Sequence, residues 1–86
     1  MLYLKIIEEV PFIHKEEQYF ARLYIPQNKP NYIYGEIVFA KSKKRPKNMR
    51  SIVREKLKEY NVYVPSDSKS LVTHSAVRTF INCLKH

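Results

Sequence analysis

The chain reads as an α+β protein: a three-stranded antiparallel meander with two helices packed on one face of the sheet. Three observations predict this. Residues 2–40 hold three short stretches of apolar, aromatic and β-branched residues, broken by connections that carry Pro, Asn and charge. Residues 49–60 and 73–84 instead repeat their apolar residues at spacings of three and four, the period of an amphipathic helix. Strands first and helices afterwards make α+β rather than an alternating α/β pattern. At 86 residues the chain is a single small domain spanning 1–86.

The elements follow in order. Residues 2–7 form the first strand, with Leu2, Leu4 and Ile6 alternating against Tyr3 and Lys5, and Pro11 ends or edges it. Residues 12–18 read as a polar connection. Residues 19–25 form the second strand, Tyr19, Ala21, Leu23 and Ile25 on one face and Phe20, Arg22 and Tyr24 on the other; a helix over residues 15–24 is the competing reading. The segment PQNKPN is a turn of Pro and Asn. Residues 32–40 form the clearest strand. From Met49, the stripe Met49, Ile52, Val53, Leu57 and Tyr60 predicts a helix, with Pro46 suited to its first position. Residues 61–64 leave room for a short fourth strand before Pro65. SDSKS supplies N-cap candidates for a last helix carrying Thr73, Ala76, Val77, Phe80, Ile81 and Leu84. With both helices on one face, the other face is expected to expose Tyr3, Lys5, Phe20, Arg22, Tyr24, Tyr32 and Tyr34.

Charge is the most informative property for function. Residues 41–58 hold nine of the sixteen Lys and Arg and only Glu55 against them, so this block carries +8, the whole net charge of the chain. A charge so concentrated is a surface for something negative. Lys47, Arg50, Arg54 and Lys58 step by three, four and four, which lines four cations along one helical face. Lys43, Lys44, Arg45 and Lys47 crowd the start of that helix, where the macrodipole disfavours cations, and such an arrangement suits a phosphate.

Composition narrows the alternatives. One Gly argues against glycine-rich phosphate loops, and the lone Cys83 rules out an internal disulfide and a cysteine zinc cluster. The start MLYLKIIEEV lacks a basic leader, and no apolar run approaches the ~18 residues of a membrane span, so no membrane association and a cytoplasmic location are expected. No His pair has metal-ligand spacing with acids, Glu8-Glu9 and Glu16-Glu17 are adjacent pairs that point apart in strands, and no Ser or Cys has a nucleophile's context. Neither a cofactor nor a metal is expected.

With the order strand, strand, strand, basic helix established, two families are similar. Ser42-Lys43-Lys44-Arg45-Pro46-Lys47-Asn48 resembles the S-K-K-x-A-K-N signature that opens the last helix of double-stranded RNA-binding domains, and Pro11-Phe12-Ile13-His14-Lys15 resembles their G-P-x-H loop between the first two strands. The resemblance covers residues 2–58. Val10 stands where the family has the loop Gly, Pro46 where it has Ala, and Arg50 interrupts its small-residue pair. No counterpart of the family's first helix precedes the first strand, and the C-terminal helix is expected to take its packing place. The resemblance implies that Lys43, Lys44 and Lys47 clamp phosphates and that His14 enters a minor groove. The basic loop and helix also look like those of HicA-type toxins, small RNA-cleaving proteins with a catalytic His before the second strand, where His14 lies.

These readings converge on a non-catalytic RNA-binding protein that contacts structured RNA through Lys41, Lys43, Lys44, Arg45, Lys47, Arg50, Arg54, Lys58 and His14. One alternative is a small inhibitor or antitoxin docking on a nucleic-acid enzyme with RNA involved; the Lys-, Ile-, Tyr- and Asn-rich makeup suits an AT-rich genome such as a phage. A second is a HicA-like ribonuclease that depends on His14. Tyr and Phe interleaved with Lys and Arg on the outer sheet face form either a stacking surface for bases, a protein interface or ordinary cross-strand packing.

Overall fold

The computed structural model describes residues 4–63 and 73–86. Its elements are β1 (Leu4–His14), β2 (Glu17–Pro26), β3 (Tyr34–Phe39), α1 (Met49–Glu59) and α2 (Thr73–Lys85). The strands make one antiparallel sheet in the order β1-β2-β3. Phe12, Tyr19, Ala21, Leu23 and Ile37 point to one face of it and close a core with Ile52, Val53 and Leu57 of α1 and Val77, Phe80 and Ile81 of α2. The fold is the α+β arrangement read from the sequence. Aromatic contacts organise the core: Phe12 meets Phe80 edge-on at 4.9 Å between ring centroids and stacks on Tyr19 at 5.4 Å. Burying each of these large side chains is worth about 1.5–3 kcal/mol.

Both helices cross the sheet in the same direction. α1 starts beside β3, where Met49 meets Ile37, and by Glu55 has reached His14 on β1. α2 starts beside Gly35 of β3 and ends with Lys85 paired to Glu8 of β1.

Three expectations need correction. β1 does not end near Ile7 and residues 12–18 are not a connection: β1 runs through Pro11 to His14, and a two-residue turn leads into β2. That turn places Lys15 and Glu16 at φ 49° and 68°, the left-handed pair of a tight hairpin, without the Asn or Gly that would announce it. Pro11 is tolerated because β1 is an edge strand. Second, Lys5 is not on the outer face. The register shifts between Ile6 and Glu8, so Ile6 lies opposite Tyr24 while Lys5 lies opposite Ile25. One extra residue inverts the alternation on either side of it. Third, the residues 61–63 form no strand, and β3 starts at Tyr34 rather than at residue 32. Residues 2 and 3, Val64, Pro65 and the SDSKS segment lie outside the described residues.

The single glycine serves packing rather than a turn. A Cβ at Gly35 would sit 2.7 Å from the Cβ of Val77 and 3.0 Å from the carbonyl oxygen of His74, so α2 reaches β3 only because that atom is missing. Gly35→Ala is expected to destabilise the fold by about 1–3 kcal/mol through overpacking, read as a lower urea midpoint at unchanged slope. Conversely, replacing Lys15-Glu16 with Asn-Gly is expected to add about 1–2 kcal/mol by relieving left-handed strain. Thermal melting checks it: a lower midpoint would contradict the two-residue turn.

Candidate nucleic-acid interface

The basic segment is built onto the sheet before it becomes a helix. After Phe39 the chain makes a short loop in which the Lys43 N–H donates to the Phe39 carbonyl (2.9 Å) and the Phe39 N–H donates to the Lys44 carbonyl (2.9 Å). Lys43 takes φ 61° to close it. Residues 44–46 therefore turn back along the outer edge of β3. Pro46 is buried there, three residues before α1, and does not occupy the first helical position; α1 begins at Met49 behind an Asn48 N-cap. The fixed φ of proline fits this extended stretch equally well.

Two further groups complete that edge. The Ile37 N–H donates to the Met49 Sδ at 3.2 Å. The Gly35 N–H donates to Nδ1 of His74 at 3.0 Å when the ring proton is on Nε2. His74, with Tyr34 stacked on its ring at 4.3 Å between centroids, is thus a cap for β3.

The outer face of the sheet is not an open aromatic surface. Arg45 reaches over it, with Nε donating to Glu36 at 2.9 Å and a second guanidinium nitrogen donating to the Tyr24 hydroxyl at 2.8 Å. On the other side of Glu36 lies Arg22, 3.5 Å away, and the Arg22 Nε donates to Glu9 at 2.6 Å. Tyr24, Glu36 and Arg22 are only 4, 6 and 9 % exposed. Lys43 lies over the Phe20 ring, 4.0 Å from its centroid. The expected exposure of Arg22 and Tyr24 is corrected by this cover, which side chains from residues 43 and 45 provide. Phe20 and Tyr34 are half-buried, Tyr32 is exposed on the connection before β3, and Tyr3 lies outside the described residues.

Electrostatics follow the burial. Burial pushes the Tyr24 phenol above its ordinary pKa; the Arg45 charge pulls it down and the Glu36 charge pushes it further up. Burial also works against the Arg45 charge, but the Glu36 hydrogen bond and the neighbouring Tyr24 more than offset it, so Arg45 is held above its usual value.

The remaining predicted cations are presented outward. Lys41, Lys44, Lys47, Arg50, Arg54 and Lys58 are all exposed, and among the described residues none has an acidic partner. α1 has no acid in its first turn and no side chain capping its N-terminus. Its first N–H groups therefore lack an acidic or capping partner among the described residues, and Lys47 and Arg50 flank them in sequence. Arg50, Arg54 and Lys58 step along one exposed face of α1, Lys41, Lys44 and Lys47 lie on the segment that leads into it, and Arg45 and Lys43 lie against the sheet.

His14 is placed differently. It is the last residue of β1, 9 % exposed, and its Nε2 lies 2.9 Å from a carboxylate oxygen of Glu55 on α1. It joins the hairpin to the helix. Glu55, the sole acid in the basic block, was not legible as a partner because 41 residues separate the two. Among the described residues no group of three or more His, Cys, Asp or Glu could hold a metal, and no helix is long and apolar enough to cross a membrane. No protein family matches this chain, and comparison with curated proteins and with solved structures yields no match.

Arg45→Ala removes one of the two cations on the buried Glu36 carboxylate and the partner of the buried Tyr24 hydroxyl, and is expected to cost about 1–3 kcal/mol. Arg45→Lys recovers only part of it, since an ammonium lacks the planar fork that serves both partners. Urea denaturation checks both; an unchanged midpoint in Arg45→Ala would mean the loop is not anchored this way.

Proposed function

We propose that this chain is a non-catalytic RNA-binding protein that grips the backbone of structured RNA with its basic loop and helix, residues 41–58. The observation that carries the reading is the set of six exposed cations without acidic partners among the described residues, on a segment fixed to the sheet by Arg45 bonded to the buried Glu36. Fixed cations lose less freedom on meeting a phosphate than cations on a free tail. Lys44, Lys47 and Arg50 at the uncapped start of α1 supply the phosphate-binding end, and Arg54 and Lys58 extend it along the helix.

The resemblance to double-stranded RNA-binding domains supports RNA as the nucleic acid, with Lys43, Lys44 and Lys47 at the signature positions. α2 packs on the sheet beside α1. The groove-entering role of His14 draws no support from its position, because a buried ring bonded to Glu55 on a two-residue turn cannot reach far into a groove. For the same reason nothing at His14 favours ribonuclease chemistry, which needs the ring against a 2′-hydroxyl. A cytoplasmic location belongs to the same proposal.

One observation favours a protein partner as the second reading. Ile6, Ile7 and Ile13 are exposed on β1, and no described residue pairs with the outer edge of that strand. An inhibitor or antitoxin that adds its edge to a nucleic-acid enzyme would use this side while the basic segment holds RNA.

Binding to a structured RNA is expected to weaken with salt at a slope of log K against log salt of about −3 to −5, for four or five phosphates contacted. Lys44→Ala, Lys47→Ala and Arg50→Ala together are expected to make that slope shallower by about two to three while the fold persists, since these residues are exposed. A filter-binding titration that is flat in salt would overturn the reading.

A further inference from the structure

At the far end of the cation row the chain leaves α1 through Tyr60 and Asn61, and Asn61 takes φ 61° to turn it. That turn sets Asn61, Val62 and Tyr63 against Arg54 and Lys58, and the five line an open groove. Tyr63 is 86 % exposed, the most exposed large apolar side chain among the described residues. A single exposed tyrosine is ordinary. This one stands beside two cations that have no acidic partner among the described residues, at the end of the row that begins with Lys47. Arg50 to Lys58 spans about 12 Å of helix, so a backbone held by the row delivers its next nucleotide to the groove.

Resting on the RNA-binding reading above, we infer that this groove holds one unpaired nucleotide flanking a duplex: its base stacks on Tyr63 and the phosphates on either side of it meet Arg54 and Lys58. The chemistry fits each part. A phenol ring offers a flat π-face that accepts any base, and an ammonium and a guanidinium a few ångströms away neutralise the adjoining phosphates. A base pair inside a duplex has both faces already stacked and its edges occupied, and the terminal pair of a blunt duplex, though open on one face, has no phosphate beyond it for the second cation of the groove. Asn61 adds an amide that can bond a base edge without selecting strongly among bases. The groove thus makes the protein a reader of junctions, where duplex meets single strand, rather than of uniform duplex. The basic segment grips the duplex and Tyr63 reports where it ends.

The test uses the full chain with two RNAs of identical duplex, one blunt and one with a short single-stranded overhang carrying 2-aminopurine at its first unpaired position. Wild type is expected to bind the overhang RNA about five- to a hundred-fold more tightly, the range for one base stacked on an aromatic side chain, and to quench the 2-aminopurine. Tyr63→Ala is expected to remove both the preference and the quenching while leaving blunt-duplex affinity unchanged. Tyr63→Phe, which keeps the ring, is expected to retain both. Equal affinity of wild type for the two RNAs, or a preference that survives in Tyr63→Ala, would overturn the junction reading while leaving backbone binding intact. Failure of wild type to bind either RNA would overturn the backbone reading itself and this inference with it.

Discussion

Glu36 is the constraint on which the rest of the structure depends. A carboxylate on the central outer face of a sheet, nearly closed to solvent, is unstable without cationic partners. Arg22 provides one from the neighbouring strand and Arg45 the other from the loop beyond β3. Arg22 then binds Glu9, so the same chain of contacts ties all three strands together. Because Arg45 must return to Glu36, the loop after Phe39 has to fold back along β3, Pro46 has to lie inside, and α1 has to start where Met49 can meet Ile37. The direction of Arg50, Arg54 and Lys58 follows from where that helix starts. A buried acid thus aims the basic surface, although its own charge opposes that surface.

The helix that results is locally imperfect at its beginning and well made at its end. It has no N-terminal acid, no side-chain cap and a crowd of cations at the positive pole of its dipole, yet its last turn carries Lys56 and Lys58, which the dipole favours. Packing of Ile52, Val53 and Leu57 holds it in place regardless. Local preference is overruled at the one end where a ligand with negative charge would satisfy every group left wanting, which is where conflicts between local and global structure are expected to mark function.

Much of the fold was legible. The helical stripes of α1 and α2 named most of their buried residues, because Ile52, Val53, Leu57, Val77, Phe80 and Ile81 recur at the helical period, whereas Tyr60 at the end of the α1 stripe is exposed. The inner face of β2 was equally clear from alternation, with Tyr19, Ala21 and Leu23 buried. What escaped has physical causes. The hairpin at Lys15-Glu16 uses left-handed residues that carry no sequence signal. The bulge near Ile7 inverts a pattern that looks unbroken. Within the basic block, charge alone could not separate Arg45 and Lys43, which serve the sheet, from Lys44, Lys47 and Arg50, which face outward; that division depends on Glu36, Tyr24 and Phe20, all distant in sequence. His14 drew notice as a candidate for chemistry, and the acid that engages it lies within the very segment assumed to act alone.

The finish of the β3 edge has a consequence for stoichiometry. Its outward N–H groups at Gly35, Ile37 and Phe39 are taken by an imidazole, a thioether and a backbone carbonyl, so that side of the sheet offers no template for another strand. Only β1 keeps an unpaired edge among the described residues. A sheet with one open side cannot propagate. Strand-to-strand association of this protein through β1 stops at two copies related by a twofold axis, and a fibre, which needs two open sides per subunit, is closed to the native fold.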